Sequence, residues 1–355
     1  MGLACAEALL RRLGSVLVID SEAGPGRQTS SRNSGVIHAG LYYPQSSWKT
    51  RLCIDGNRLL YAWCEAQTVP HERSGKLVVA STDAELQKLR DLQRHAQQVG
   101  AGPLQLLDSA ELHRREPALV GRGALFSPRS GVLDAHAFIE SLSRKIREDG
   151  GDLAFRTEVR GIERRGEAWI LRTQDSLGRQ TELSTARVVN AAGLRAIEIA
   201  RRSGLSGPNC PWRLHLCKGS YFTLGPEAPR TRSRLIYPMP EQAGLGIHLT
   251  CDLGGARRLG PDVEYVDEAD YDVAEDKAER FAAAAARYLP GVTERHLRPD
   301  YAGIRPKLVG PGEGFADFVI ESPRGQPGMT HLIGIESPGL TAALAIGRFV
   351  ADLRV

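Results

Sequence analysis

The 355-residue chain carries little net charge: 46 basic against 42 acidic side chains leave a formal +4. That excess is too small to argue for nucleic acid, although it leaves room for a local basic pocket. No apolar run reaches about 18 residues, so no integral membrane span is expected. The opening residues lack the basic and apolar pattern of a signal peptide. A cytoplasmic location is therefore the expectation, with a peripheral seat on the inner membrane as the variant. Six cysteines (Cys5, Cys53, Cys64, Cys210, Cys217 and Cys251) form no C-x-x-C pair and no metal-type spacing. They are expected as reduced, mostly buried thiols, and no metal site is predicted. There is no internal repeat and no low-complexity linker, so the two domains expected at this length should interleave. Glycine, by contrast, is plentiful: 38 residues, with 20 prolines, imply many turns and close backbone approaches.

The densest cluster of such residues is Thr29–Pro44, TSSRNSGVIHAGLYYP. Ser, Asn and Gly favour turns and expose backbone amides, which suits a loop laid against phosphate or a planar cofactor. His38, held in that loop, can exchange protons near neutral pH. An ordinary polar loop has the same composition, so other stretches must decide. Gly2–Leu13 reads as a helix and Ser15–Asp20, SVLVID, as a buried parallel strand ending on an acid. Helix, tight turn, strand and terminal acid make the second half of a dinucleotide-binding unit, in which the acid takes ribose hydroxyls. Asp20 lies eighteen residues after Gly2, as that unit requires. The unit's opening strand and first two glycines have no counterpart.

Four further stretches bear on function. Arg187–Gly193, RVVNAAG, is an apolar strand running into small residues, which lets backbone pass close to a nucleotide. The segment from Pro211 to Asp252 reads as antiparallel sheet, with strands at Leu214–Phe222, Arg234–Pro240 and Gly244–Thr250. Its Lys218, Tyr221, Tyr237 and His248 either wall a pocket or face water. Arg305, in YAGIRPK, is suited to a fork-like grip on a carboxylate, or to a surface ion pair. At the end, an apolar strand runs through Glu336-Ser337-Pro338-Gly339 into a helix. Free amides at such a helix start favour the negative charge of a reduced flavin ring. Elsewhere, helices are expected at Ser47–Glu65, Asp83–Val99, Ala135–Glu148 with Asp134 as cap, and Glu268–Tyr288, and a hairpin turning at Gly166.

Taken together, SSRNSGVIHAGLYYP (30–44), KTRLCIDGNRLLYAWC (49–64), VVNAAG (188–193), LIYPMPEQAGLGIHLT (235–250), GIRPKL (303–308) and GIESPGLTAALAIG (334–347) resemble the D-amino-acid-oxidase-like family of FAD oxidoreductases. Within it they are most similar to the branch acting on L-2-hydroxyglutarate. The resemblance implies an α/β fold: a doubly wound, Rossmann-like FAD domain (1–75, 145–208 and 322–355) interleaved with a mixed-sheet α+β substrate domain (76–144 and 209–321). It implies FAD contacts from Gly2 at the pyrophosphate and Asp20 at the adenosine ribose. Ser30, Ser31, Arg32 and Asn33 would lie along the phosphates, ribityl or ring, and Val159 near the adenine. Ala191 and Gly193 would line the nucleotide, and Gly339, Leu340 and Thr341 the flavin.

The implied reaction converts a small anionic 2-hydroxy acid, L-2-hydroxyglutarate, to 2-oxoglutarate by hydride transfer to flavin N5. His248 and His38 are the candidate bases, Arg305 the first candidate for a substrate carboxylate and Lys218 the second. The electron acceptor, quinone or oxygen, stays open. The alternatives are an amino-acid or amine oxidase of the same fold and a truncated, non-catalytic flavoprotein remnant.

Overall fold

The computed structural model describes residues 1–205, 207–240 and 246–353. Among these residues eight α-helices follow in order: α1 Gly2–Leu13, α2 Trp48–Ala66, α3 Asp83–Gln98, α4 Ser109–Arg115, α5 Ala135–Glu148, α6 Ala196–Arg202, α7 Ala278–Ala286 and α8 Gly339–Asp352. The fold is α/β. Its main sheet has nine strands, and Lys76–Ala80 sits inside it between the parallel neighbour Leu235–Pro238 and the antiparallel neighbour Gly123–Ser127. Further along, His248–Cys251 and Arg257–Gly260 lead to His215–Leu224, which also pairs with the long strand Leu297–Lys307. One side of this sheet packs Leu77, Val79, Ile236, Leu249 and Phe222 against Phe281 and Ala285 of α7. The apolar side chains of α7 recur at helical spacing, so only one stripe needs that cover.

The remaining strands form smaller sheets. Leu17–Ile19 pairs in parallel with Asp152–Ala154, and Val188–Asn190 in parallel with Met329–Ile333. These parallel pairs flank the helices α1, α2 and α8. Among those three, α8 is buried nearly all round, because its sequence GLTAALAIGRFVAD is small and apolar on every face. Small residues also set how closely its neighbours approach. A Cβ on Gly56 of α2 would lie 2.3 Å from the Thr341 carbonyl, and one on Gly347 2.3 Å from the Ala4 carbonyl of α1.

Most predicted elements appear within a residue or two. The Asp134 carboxylate accepts from Ala137 N and starts α5, and the hairpin runs Thr157–Arg165 to Ala168–Asp175. Residues 244–245 of the expected strand Gly244–Thr250 lie outside the described residues; the strand itself is His248–Cys251. The helix expected over Glu268–Tyr288 is shorter. Asp270 accepts from Asp272 N, an Asx turn that competes with helix, and the α-helix begins only at Ala278. The expected boundary between 144 and 145 falls inside α5, whose Phe138, Leu142 and Ile146 all pack on the α1 side of the molecule.

Because backbone and not side chain would be struck, Gly56→Ala should destabilise the protein by about 1–3 kcal/mol. Chemical denaturation compared with wild type reads this directly; an unchanged midpoint would mean that α2 and α8 can slide apart.

Candidate active site

One cleft of about 1580 Å³ runs between the helices and the main sheet, larger than the roughly 300–1,000 Å³ usual for a small ligand. Its long arm is walled by small residues and backbone: Gly2, Ala191, Gly193 and Gly339. Two helices start on it. Neither α1 nor α8 has a side-chain cap at its N-terminus, so their first amides remain available to an anion. Asp20 lines the same cleft close to the start of α1, and Val159 lines it too. Burial raises the Asp20 carboxyl, although Glu22 N donates to it at 3.0 Å.

The loop after Thr29 is folded by its own side chains. Asn33 Nδ2 donates to Ser30 O at 2.5 Å and Gly35 N donates to Asn33 Oδ1 at 2.8 Å. Gly35 has φ +65°, and a Cβ there would meet Leu133 O at 2.8 Å, so the turn requires glycine. The loop is then tied to α8. His38 N donates to Thr341 Oγ1 at 3.0 Å, and His38 Nε2 sits 3.4 Å from Ser337 Oγ. Thr341 therefore supports the loop as well as lining the cleft.

At the short arm, His248 Nδ1 lies 3.0 Å from Gly246 O. A carbonyl only accepts, so Nδ1 carries the proton and Nε2 the lone pair. That Nε2 is buried and has no hydrogen-bond partner among the described residues. The ring stacks on Tyr237 at 3.7 Å. Burial, with Lys76 adding like charge, pushes both His38 and His248 down to about 3, so both imidazoles are neutral at physiological pH. Tyr42 Oη, another buried polar atom without a partner, lines the same cleft.

The opposite side of this arm is cationic. Lys49, Arg305 and Lys307 line it beside a single carboxylate, Glu336. Lys49 Nζ is 2.9 Å and Lys307 Nζ 3.3 Å from Glu336 oxygens. Arg305 spends its Nε on Cys217 O and its Nη2 on Lys218 O and Asp262 O. Its Nη1 donors remain unspent among the described residues. The expected two-nitrogen fork thus becomes a contact through one nitrogen.

Most of the predicted site residues line this cleft: Gly2, Asp20, Ser30, Arg32, Asn33, His38, Val159, Ala191, Gly193, His248, Arg305, Gly339, Leu340 and Thr341. Two do not. Ser31 Oγ turns back to Gln28 O at 2.9 Å. Lys218 is buried in its strand and its ammonium pairs with Asp270, which removes it as a carboxylate ligand. Arg32 lines the wall but is held by Ala302 O at 3.1 Å and lies 4.0 Å over the Tyr271 ring. Lys49, Tyr42 and Glu336 were not singled out as site residues. Lys49 reaches the cleft because the Asp317 carboxylate accepts from Trp48 N and Lys49 N and fixes the start of α2, a pairing 268 residues apart that no local pattern signals.

The sequence profile of the DAO family, described as FAD dependent oxidoreductase, matches residues 1–353. The chain belongs to the DAO family of FAD-dependent oxidoreductases. It is 39% identical to the mitochondrial L-2-hydroxyglutarate dehydrogenase of Arabidopsis thaliana, covering 99% of this chain and 81% of that protein. The L-2-hydroxyglutarate dehydrogenase of Escherichia coli K12 is 28% identical over 95% of this chain and 86% of its own length. The mitochondrial enzyme of Homo sapiens is 29% identical over 99% and 86%. In fold, the chain is similar to an L-alpha-glycerophosphate oxidase from Mycoplasma pneumoniae with FAD bound (TM-score 0.84, 22% identity, 98% and 91% covered). It is similar also to a glycine oxidase from Geobacillus kaustophilus (TM-score 0.81, 21% identity, 99% and 91% covered).

The cleft's features fit FAD. Uncapped helix starts suit its phosphates, the glycines and alanines of the wall allow a ring and ribityl chain to approach, and the half-buried Asp20 offers an acceptor for ribose hydroxyls.

Burial alone would raise the Glu336 carboxyl, but Lys49 and Lys307 outweigh it and hold it below the ordinary 4.5. Its folded value is depressed, so the contribution is present above the unfolded value and lost as pH falls through the folded one. Glu336→Gln should cost about 3–5 kcal/mol at pH 7, since Lys49 stays buried without its partner. In urea titrations the variant should also lose the wild-type weakening between about pH 5 and pH 3. Parallel acid profiles would remove the ion pair from the account.

Proposed function

We propose that the protein oxidises L-2-hydroxyglutarate to 2-oxoglutarate. The observation that carries the reading is the buried, unpartnered Nε2 lone pair of His248 in one cleft with three cationic side chains. A 2-hydroxy dicarboxylate needs both features: an acceptor for its hydroxyl proton and positive charge for its carboxylates. Similarity to L-2-hydroxyglutarate dehydrogenases over nearly the whole chain supports the same substrate.

FAD, when bound, supplies the two-electron acceptor for the C2 hydride. His248 takes the hydroxyl proton at Nε2, with the tautomer set by Gly246 O. His38 is the second candidate, but its Nε2 already has Ser337 Oγ at 3.4 Å. Arg305 Nη1 and Lys307 hold carboxylate oxygen, while the Glu336 pair keeps Lys307 and Lys49 in place. Gly2, Ala191, Gly193, Gly339, Leu340 and Thr341 hold the cofactor, and Asp20 takes its ribose. We assign residues 76–134 and 209–321 to the substrate unit and the rest, with all of α5, to the FAD unit.

The discriminating measurement is anaerobic reduction of the bound flavin. L-2-Hydroxyglutarate should bleach it and amino acids should not; bleaching by an amino acid alone overturns the reading. His248→Ala should slow reduction about 10²–10⁴-fold, and an unchanged rate would remove His248 as base. Arg305→Lys should raise the substrate Kd with less effect on the limiting reduction rate, because the lysine cannot keep the three carbonyl ties that aim the guanidinium.

A further inference from the structure

Behind the histidine wall lies a charged group that the reaction above leaves unused. Lys76 begins the strand Lys76–Ala80 and is 1% exposed. Among the described residues its Nζ has no hydrogen-bond partner, and it lies 4.6 Å from the Tyr42 ring centroid and 4.5 Å from that of Tyr237. Tyr237 in turn carries the stacked His248 ring. An ammonium between two aromatic faces gains a cation–π interaction, but an unpaired buried charge still costs free energy. Among the described residues no carboxylate compensates it, and a group kept at such a position owes its effect to where its charge acts.

We propose that Lys76 is a positioning residue that places positive charge behind the wall formed by Tyr42, Tyr237, His38 and His248, and so governs how strongly the acid-binding arm holds an anion and how its imidazoles respond to pH. Burial lowers the Lys76 amine to about 7, with Cys53 opposing. Its charge in turn acts on both His38 and His248. The titratable groups around it are Cys53 from α2, Tyr42 and His38 from the loop, and Tyr237 and His248 from neighbouring strands, with Arg305 acting on His248 from the far side. The amine loses its charge as pH rises through about 7, while Lys49 and Lys307 share Glu336 and Arg305 is held by carbonyls. The inference rests on the substrate reading only for the identity of the anion.

The test compares wild type with Lys76→Met, which deletes the charge at similar volume, and Lys76→Arg, which keeps it. In the ligand-free holoprotein with ¹³C-labelled histidine, wild type should show the His38 and His248 ring signals moving through one step near pH 7 while both rings stay neutral. Neither variant should show that step. Calorimetric titration with 2-oxoglutarate should give a wild-type Kd that rises roughly three- to tenfold between pH 6 and 8.5. Lys76→Arg should stay tight and Lys76→Met weak across that range. Because an unpaired ammonium is removed, Lys76→Met should fold at least as stably as wild type. A step near pH 7 that survives in Lys76→Met overturns the inference, as does an unchanged binding profile in that variant. Failure of L-2-hydroxyglutarate to reduce the flavin would leave the ligand-free step intact and strike only the substrate reading.

Discussion

The close approach of α8 to α1 and α2 is the constraint on which the site depends. Three helices can share one small space only if backbone meets backbone, which is why Gly56 and Gly347 stand at the crossings. Once α8 is seated, its first turn cannot shift without moving Thr341, and Thr341 Oγ1 receives the His38 amide. The helix start, the loop after Thr29 and the floor of the cleft are thus one mechanical unit. A tightly packed interior transmits such a restraint because few voids exist to absorb it.

Charge in the cleft follows the same economy of position. The long arm offers helix starts and backbone amides, which are already oriented before anything binds. The short arm concentrates side-chain charges: Lys49 and Lys307 share one carboxylate, and Arg305 is aimed by three carbonyls. The excess of positive charge lies where an organic acid would sit. Two neutral imidazoles stand opposite, kept neutral chiefly by burial. A cluster of cations and two neutral imidazoles thus line one cleft.

How much of this was legible in the sequence depended on the range of the interaction. Elements with a local cause were readable: α5 begins at its Asp134 cap, and the loop after Thr29 follows from Asn33 and Gly35. The small residues of the cleft wall were readable because VVNAAG and the α8 start display them openly. The failures share a different origin. Lys218 and Lys76 both sit in apolar strands, where the sequence does not say which charged residue finds a carboxylate and which is left alone. Asp270 settles the first, and it lies 52 residues away. The shortened α7 is likewise decided by an Asx turn at Asp270 that outweighs the helical spacing beyond it.

Lys76 and Lys218 also show why burial of a lysine has two opposite meanings. Lys218 lies across from Ile304 in a strand pair and sends its ammonium to the surface carboxylate of Asp270. Its charge is neutralised on the outer side of the sheet and cannot reach the cleft. Lys76 has only aromatic rings, whose quadrupoles stabilise a cation without cancelling its field. A field that is not cancelled by an adjacent anion extends to the next polar groups through a medium of low dielectric. Those groups are the two imidazoles, so the physical consequence of leaving Lys76 without a carboxylate among the described residues is felt at His38 and His248.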